Sequence, residues 1–569
     1  MSLSRKIKYG LYFSLVEKIP EIQLAYQSFV DANLDCYRKH RRQSWKYLLA
    51  LNIHYRYPRL KKKPEPPVLT PSGATGKKTL NIPEWTYQLR DSPVELSRKL
   101  LTYDVISFDV FDTLIFRPFD APTDLFRLMA LKINMPDFAK IRTEAEKAAR
   151  STAVNGEVNI YDIYNEIKNK YHIDVENAIQ TEIDAEFDLC YGNEYIKTIF
   201  NILKYNQKEI IAVSDMYLPE DIIKKLLKKC GFKGFSRVYV SCDYRRSKAT
   251  GKLYRFINKD FVKHKSVFHI GDDYTADCIN ARKTGWTAYH YPQCRAISKT
   301  FRPDNKTKSI ASSVYRGIVA NKIHNGTALI HPFDKYYEYG FIYGGIITCG
   351  FLDYLDDLCK SKNIDKILFL ERGGETLSSL YRKHYNTVKC EYVLWSRALG
   401  NALTLEDGIP NHSAELYYRP FIKGVNNICV VDMDLSGLDI ICFEKYITEK
   451  LNYNGTVTRA TIYAYNKDST ALLTKMLFAS EYPSILSFIN DKNETGFEFL
   501  FETNVVENQK AVKNIQKGIK DYADIYYKIF EKYREYINIS STDAYLPLNH
   551  FGENKKWVET IQKPGLGNN

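Results

Sequence analysis

The sequence predicts an α/β protein built on a parallel sheet, preceded by a helical segment and followed by a second α/β domain. Three observations carry this reading. From about 95 to 295, short apolar runs ("DVISFDV", "EIIAVSD", "RVYVSCD", "SVFHIGDD") alternate with stretches of helical period, the pattern of parallel strands joined by crossover helices. Strand-like runs resume beyond 330, in "KILFLE", "EYVLWS" and "NICVVDMD". Between the first helices and the first strand lies "KKKPEPPVLTPSGATGKK" at 61–78, a Pro/Gly/Ser-rich linker. A chain of 569 residues also exceeds one ordinary core.

The elements fall in order. Residues 1–60 read as a basic helical segment punctuated by Pro20 and Pro58, and 61–94 as linker. A first α/β domain is expected at 95–300, with a helical insertion at about 116–205 ("FAKIRTEAEKAARSTA", "NIYDIYNEIKNKY", "NAIQTEIDAEFDLC"). The second domain is expected at 310–569, closing with a Tyr- and Lys-rich helix around 506–537 whose spacing suits a packing face.

With 44% hydrophobic and 26% charged residues the chain reads as soluble and globular. "MSLSRKIKYGLYF" interrupts its apolar run with charge and Gly, so no secretory signal is expected. "GFIYGGIITCGFL" at 340–352 is too short and Gly-rich to span a bilayer. Eleven cysteines without a C-x-x-C pair suggest reduced thiols in a cytoplasmic protein.

The net charge of +14 is concentrated: residues 38–63 hold ten Lys or Arg and no acid, interleaved with Trp45, Tyr47, Tyr55 and Tyr57. Such a stretch suits an anionic membrane surface or a polyanion, and makes the chain a candidate for the inner face of the membrane. A solvated helical face with a basic linker is the plainer alternative. No nucleic-acid motif accompanies the charge, so a sequence-specific reader of nucleic acid is not expected.

Each strand of the middle segment leads to a side chain suited to phosphate chemistry. The first ends at Asp109 in D-V-F-D-T-L, and the second at Ser214 in "IIAVSDMYLP". After the third comes Lys248 in "SKATGKLY"; the fourth leads to Asp272, Asp273 and Asp277 in "HIGDDYTAD". A carboxylate attacks phosphorus only when the substrate's charge is screened. That calls for Mg2+ on carboxylates, with a hydroxyl and a cation on the phosphoryl oxygens. Asp109 is then the nucleophile and a metal ligand, and Asp272 the second ligand. Asp277 binds a metal water or the lysine, while Ser214 and Lys248 hold the phosphoryl oxygens. Capping of four strand ends is the bland alternative.

These four motifs resemble the haloacid dehalogenase-like (HAD) superfamily, mostly Mg2+-dependent phosphatases, over about 105–290. The resemblance implies a Rossmannoid parallel sheet, and it makes the insertion a C1 cap that covers the site and helps to select substrate. It places Asp109, Asp272, Asp277 and the backbone carbonyl of Phe111 around the metal. Register favours Asp109 as nucleophile, because Thr113 then falls four residues on and Leu114 five. Counting from Asp112 puts Phe116 at the fourth position and loses the pattern.

The same register exposes a departure. Most HAD phosphatases carry an aspartate two residues after the nucleophile, to protonate the leaving oxygen and then activate water; here that residue is Phe111. A phenyl ring transfers no proton, so help worth about 10²–10⁴-fold is missing from that position. Asp112 should point away by strand alternation, and Asp215 is no obvious substitute. A slow or selective phosphatase, a phosphotransferase and a binding module all remain open.

"FDVFDTLIFRP", "RTEAEKAAR", "VSDMYLP" and "HIGDDYTAD" further resemble large HAD-like proteins of bacterial capsule and O-antigen synthesis. This implies a phosphorylated small molecule, such as a sugar phosphate, as substrate, with polysaccharide-assembly proteins as candidate partners for residues 38–63. "ILFLERGGETL" and "YVLWSRAL" resemble that group's second-domain motifs, with Gly373 where an acid is usual. Arg372, Ser396 and Arg397 are candidates there for an anion site, or else form a turn and a surface pair. "NNICVVDMDLSG" offers a D-x-D, Asp432 and Asp434, of the kind that holds a metal and a sugar-nucleotide diphosphate. A glycosyl or glycosyl-phosphate transferase is the alternative function, and a non-catalytic membrane-docked module a further one. His269 reads as a packed strand residue rather than a base.

Overall fold

β1 (Val105–Phe108) is the spine of the first sheet, and all four of its residues are fully buried. It is flanked in parallel by β2 (Glu209–Ser214) and β4 (Val267–Gly271); β3 (Arg237–Val240) and β5 (Thr287–His290) lie outermost, giving the order β3-β2-β1-β4-β5. A strand covered on both faces is near-continuously apolar, which is why these runs do not alternate; the buried exceptions, Ser107 and His269, hydrogen-bond each other. Neighbouring residues nonetheless serve different cores. Ile106, Phe108, Ile210 and Ile270 pack with the insertion and the helix Glu220–Lys229. Val105, Ile211, Tyr239 and Val267 pack with Leu253 and Ile257 of the helix Lys252–Asp260. The chain proceeds outward through β2 and β3, then returns to the other side of β1. The sheet therefore splits at the carboxyl ends of β1 and β4, where ligands bind in such folds.

The computed structural model describes residues 15–16, 18–31, 41–56, 64–67, 91–171, 173–301, 307–325, 333–371, 373–404, 411–433, 437–462, 471–480, 482–490, 497–502, 509–553, 558–559 and 561. The linker expected at 61–94 lies outside these apart from 64–67 and 91–94. Its end already belongs to a helix, Pro93–Leu100, started by a reciprocal cap between Ser92 and Glu95.

The insertion leaves β1 through a two-residue antiparallel ladder, Ile115–Phe116 against Tyr191–Gly192. This neck confines it to 117–190, because the next helix, Glu194–Tyr205, packs with Pro93–Leu100 instead. Four helices form it: Asp124–Lys132, Phe138–Thr152, Ile160–Lys168 and Val175–Leu189. Arg142, fully buried, grips both oxygens of Glu182 at 2.8 Å, and its guanidinium lies 4.6 Å from the Phe126 ring and 4.7 Å from the Tyr217 ring. A buried charge is tolerated when it is paired and hydrogen-bonded, and this planar, two-pronged pairing does both.

The second sheet, β9-β8-β6-β7, is also parallel: β6 (Lys366–Leu370), β7 (Lys389–Val393), β8 (Asn427–Asp432) and β9 (Thr456–Thr461). An antiparallel pair, β10 (Ile485–Asn490) and β11 (Phe497–Phe501), was not anticipated. The helix Gln509–Ile529 ends eight residues before the expected 537. There the chain turns so that Arg534 reaches Asp353 at 2.9 Å and stacks on the rings of Tyr385 and Tyr527. One apolar cluster runs through both α/β units. Phe119 meets Phe530 at 6.0 Å, and Lys532 bonds Asp188 of the insertion at 2.8 Å.

At the amino-terminal side, α1 (Pro20–Asp31) and α2 (Arg41–Arg56) pair through Ile22, Phe29, Tyr47, Leu48 and Leu51. Among the described residues, no helix is long and apolar enough to cross a membrane.

Candidate active site

β1 hands its ladder bond on to Asp109, whose N–H donates to Ile270 at 2.8 Å. The chain then turns: Leu114 and Ile115 donate to Val110, and Asp112 takes a left-handed φ of 58°. Aspartate tolerates that conformation better than most residues. The Asp112 carboxylate pairs with Arg295, so it is held by a cation. Strand alternation does not apply to Asp112, because the strand has already ended; this turn and the pairing with Arg295 set its position. Phe111 is held as well, its ring 4.1 Å from the Arg117 guanidinium, which in turn grips Glu186.

Lys248 arrives from the loop after β3. Asp215 fixes that loop, accepting the N–H of Lys248 at 2.7 Å and of Ala249 at 3.0 Å. The ammonium, buried to 3% exposure, bonds Asp109 and, at 2.6 Å, Asp277. Asp277 sits in a π-helical turn, Tyr274–Ile279, capped by Asp273, which accepts the Ala276 N–H at 2.7 Å. Its carboxyl lies against Gly271, where a Cβ would come within 2.3 Å of the Asp277 carboxyl carbon. Only glycine admits that approach. Asp272 accepts from Gln293, and Ser214 closes β2 at 2% exposure.

Oxygens of Asp109, Asp272 and Asp277 lie within 4.8 Å of one another. Burial pushes Asp109 up to about 7, with Lys248 opposing and Asp277 adding. Burial, followed by the charges of Asp109 and Asp112, raises Asp272 well above its usual range. Burial works against ionising Asp277 too, but Lys248 and His269 hold it below the usual carboxylate range. With only one ammonium for three buried carboxyl groups, Asp109 and Asp272 are hard to ionise unless a further cation is supplied. Hard oxygen donors in that setting fit a divalent cation such as Mg2+.

His269 lies beneath the site, fully buried, with Nδ1 2.7 Å from the Ser107 hydroxyl and Nε2 3.2 Å from Asp277. Burial depresses its pKa, so it is neutral. Since the carboxylate only accepts, Nε2–H donates to it and Nδ1 accepts from Ser107. The histidine is packed in a strand, as expected, but it also orients Asp277. Nothing in the sequence marks His269, Ser107 and Asp215 as one network.

Of the second-domain candidates, Ser396, Arg397 and Asp432 are among the described residues. Ser396 donates to the Ile485 carbonyl and accepts the Leu399 N–H at 3.1 Å, tying β10 to a helix start. Arg397 is half exposed and bonds Asp439 at 3.1 Å. Asp432 ends β8, buried to 4% exposure. Arg372 and Asp434 lie outside the described residues. Glu371, which the motifs do not single out, follows β6 and accepts the N–H groups of Trp395 and Ile485, each at 3.1 Å.

No protein-family model matches the chain, and no curated protein does. Solved structures are similar over part of it. A magnesium-bound HAD-hydrolase, YfnB from Bacillus subtilis, is 16% identical, covering 35% of this chain and 98% of its own, with a TM-score of 0.26. A HAD phosphatase from Thermococcus onnurineus, 16% identical, covers 40% of this chain and 100% of its own at a TM-score of 0.25. A HAD family enzyme from Bacteroides thetaiotaomicron, 15% identical, covers 35% and 98% at 0.26.

Proposed function

We propose that the chain is a HAD-type, Mg2+-dependent phosphohydrolase or phosphotransferase. The observation that supports it best is the convergence of Asp109, Lys248, Asp272 and Asp277 at the split between β1 and β4. Asp109, Asp272, Asp277 and the Phe111 carbonyl would hold Mg2+, which when bound screens the substrate phosphate. Lys248 favours the ionised form of Asp109 against the effect of burial, and orients it. The Asp109 carboxylate attacks phosphorus, forming an aspartyl phosphate as the leaving oxygen departs with its electron pair. Ser214 and Lys248 bind the phosphoryl oxygens. Water, or a second acceptor in a phosphotransferase, then attacks phosphorus and frees Asp109. The helical insertion contributes Arg117, whose guanidinium lies 4.1 Å from the Phe111 ring.

The substrate class we favour is a sugar phosphate or related metabolite of surface polysaccharide synthesis. That choice rests on the resemblance of four sequence stretches and not on pocket geometry. The test is Mg2+-dependent phosphate release from a panel of sugar phosphates and one activated aryl phosphate, native protein against Asp109→Asn. Release that disappears in the variant supports the reading. Release that survives overturns it.

A further inference from the structure

α2 buries one face against α1 and presents the other to solvent. On the outer face Trp45, Leu49 and Ile53 follow at intervals of four and are exposed by 52%, 58% and 40%. That spacing puts them in one stripe. Arg42 and Lys46 lie beside it near one end and Arg56 near the other, all exposed. α2 contains no acid, and the surrounding residues 38–63 hold ten Lys or Arg with none. The buried face, Ser44, Tyr47, Leu48 and Leu51, already satisfies the packing of the helix pair. Three large apolar side chains in a row are therefore not needed for the fold, and a soluble surface rarely keeps them without a use.

We propose that this face of α2 docks on an anionic lipid bilayer, the helix lying in the headgroup plane with Trp45, Leu49 and Ile53 turned toward the acyl chains. Cations beside an apolar stripe match that boundary: the guanidinium and ammonium groups meet lipid phosphates while the stripe is dehydrated. Tryptophan favours the same depth. A nucleic acid would use the cations but leave Leu49 and Ile53 without a partner. A second copy of the chain would bring two acid-free, cationic faces together. At sixteen residues with four Lys or Arg, α2 is too short and too charged to span.

The test uses the full chain in flotation with phosphatidylglycerol/phosphatidylcholine vesicles and with pure phosphatidylcholine vesicles. Binding to the anionic vesicles, weakening as salt is raised, is expected, with little binding to the neutral ones. Leu49→Ser/Ile53→Ser should lower partitioning at least about tenfold, since each apolar group loses its burial. Arg42→Gln/Lys46→Gln should lower it about fivefold per charge. Both pairs are exposed, so far-ultraviolet circular dichroism should match the native protein. Equal binding to both vesicle types, or variants that float like the native chain, would overturn the proposal. So would binding to a DNA oligonucleotide that withstands the Leu49/Ile53 change while vesicles are ignored, and so would a native dimer that the change makes monomeric without any vesicle binding.

Discussion

The Arg117 guanidinium lies 4.1 Å from the centre of the Phe111 ring, so the side chain two residues beyond Asp109 is clamped beneath a cation. Neither partner supplies a proton at neutral pH, and Arg117 is further held by Glu186 at 2.9 Å. The leaving oxygen must then depart without an acid from this position. Turnover should favour an aryl phosphate with an acidic phenol over an alkyl phosphate by about 10²–10⁴-fold more than it would with a general acid at this position. A plot of log kcat/KM against leaving-group pKa should be steep. A flat plot would reveal an acid elsewhere.

Lys248 is the one buried cation bonded to both Asp109 and Asp277 among the described residues. Lys248→Met leaves those carboxylates facing each other without it. The metal-free variant should lose about 3–5 kcal/mol of stability at pH 8. Urea unfolding measures this, and Asp109→Asn, which removes one of the charges, should destabilise much less.

The chemistry-bearing strand ends were legible because each follows an apolar run too short for a helix. Asp109, Ser214 and Asp272 could be placed by that alone. Asp215 and His269 could not. Their importance comes from partners far along the chain, Lys248 for Asp215 and Ser107 for His269, which only the folded sheet brings close. Ser396 and Arg397 bond to Ile485 and Asp439, partners 89 and 42 residues on that the sequence does not announce. The antiparallel pair β10–β11 escaped notice because it belongs to no βα alternation.

Unfolded, an aspartate releases its proton near pH 4, whereas folded Asp109 keeps it until about 7. Between those limits the folded chain holds the extra proton, so this group's contribution to stability falls as pH rises, by at most about 1.4 kcal/mol per pH unit. His269, depressed by burial, acts in the opposite sense on acidification. Subtracting the Asp109→Asn curve isolates the first effect. In chelator, the native-minus-variant stability should decline from about pH 5 to pH 7. A flat difference would show that Asp109 ionises normally.

Asp215 holds the Lys248 loop through two backbone N–H groups. Asp215→Ala should leave Mg2+ affinity, read by isothermal titration, within about threefold, while kcat falls about 10²-fold as the ammonium drifts from its position. Loss of metal binding in step with kcat would instead make Asp215 part of the metal site.

The most direct measurement is acid quench of a single turnover with an activated phosphate ester and Mg2+, followed by mass spectrometry of the peptide carrying residues 105–117. The account predicts a phosphoryl adduct on Asp109, absent without Mg2+ and absent from Asp109→Asn. Turnover without any adduct, or an adduct on Asp112, would contradict it.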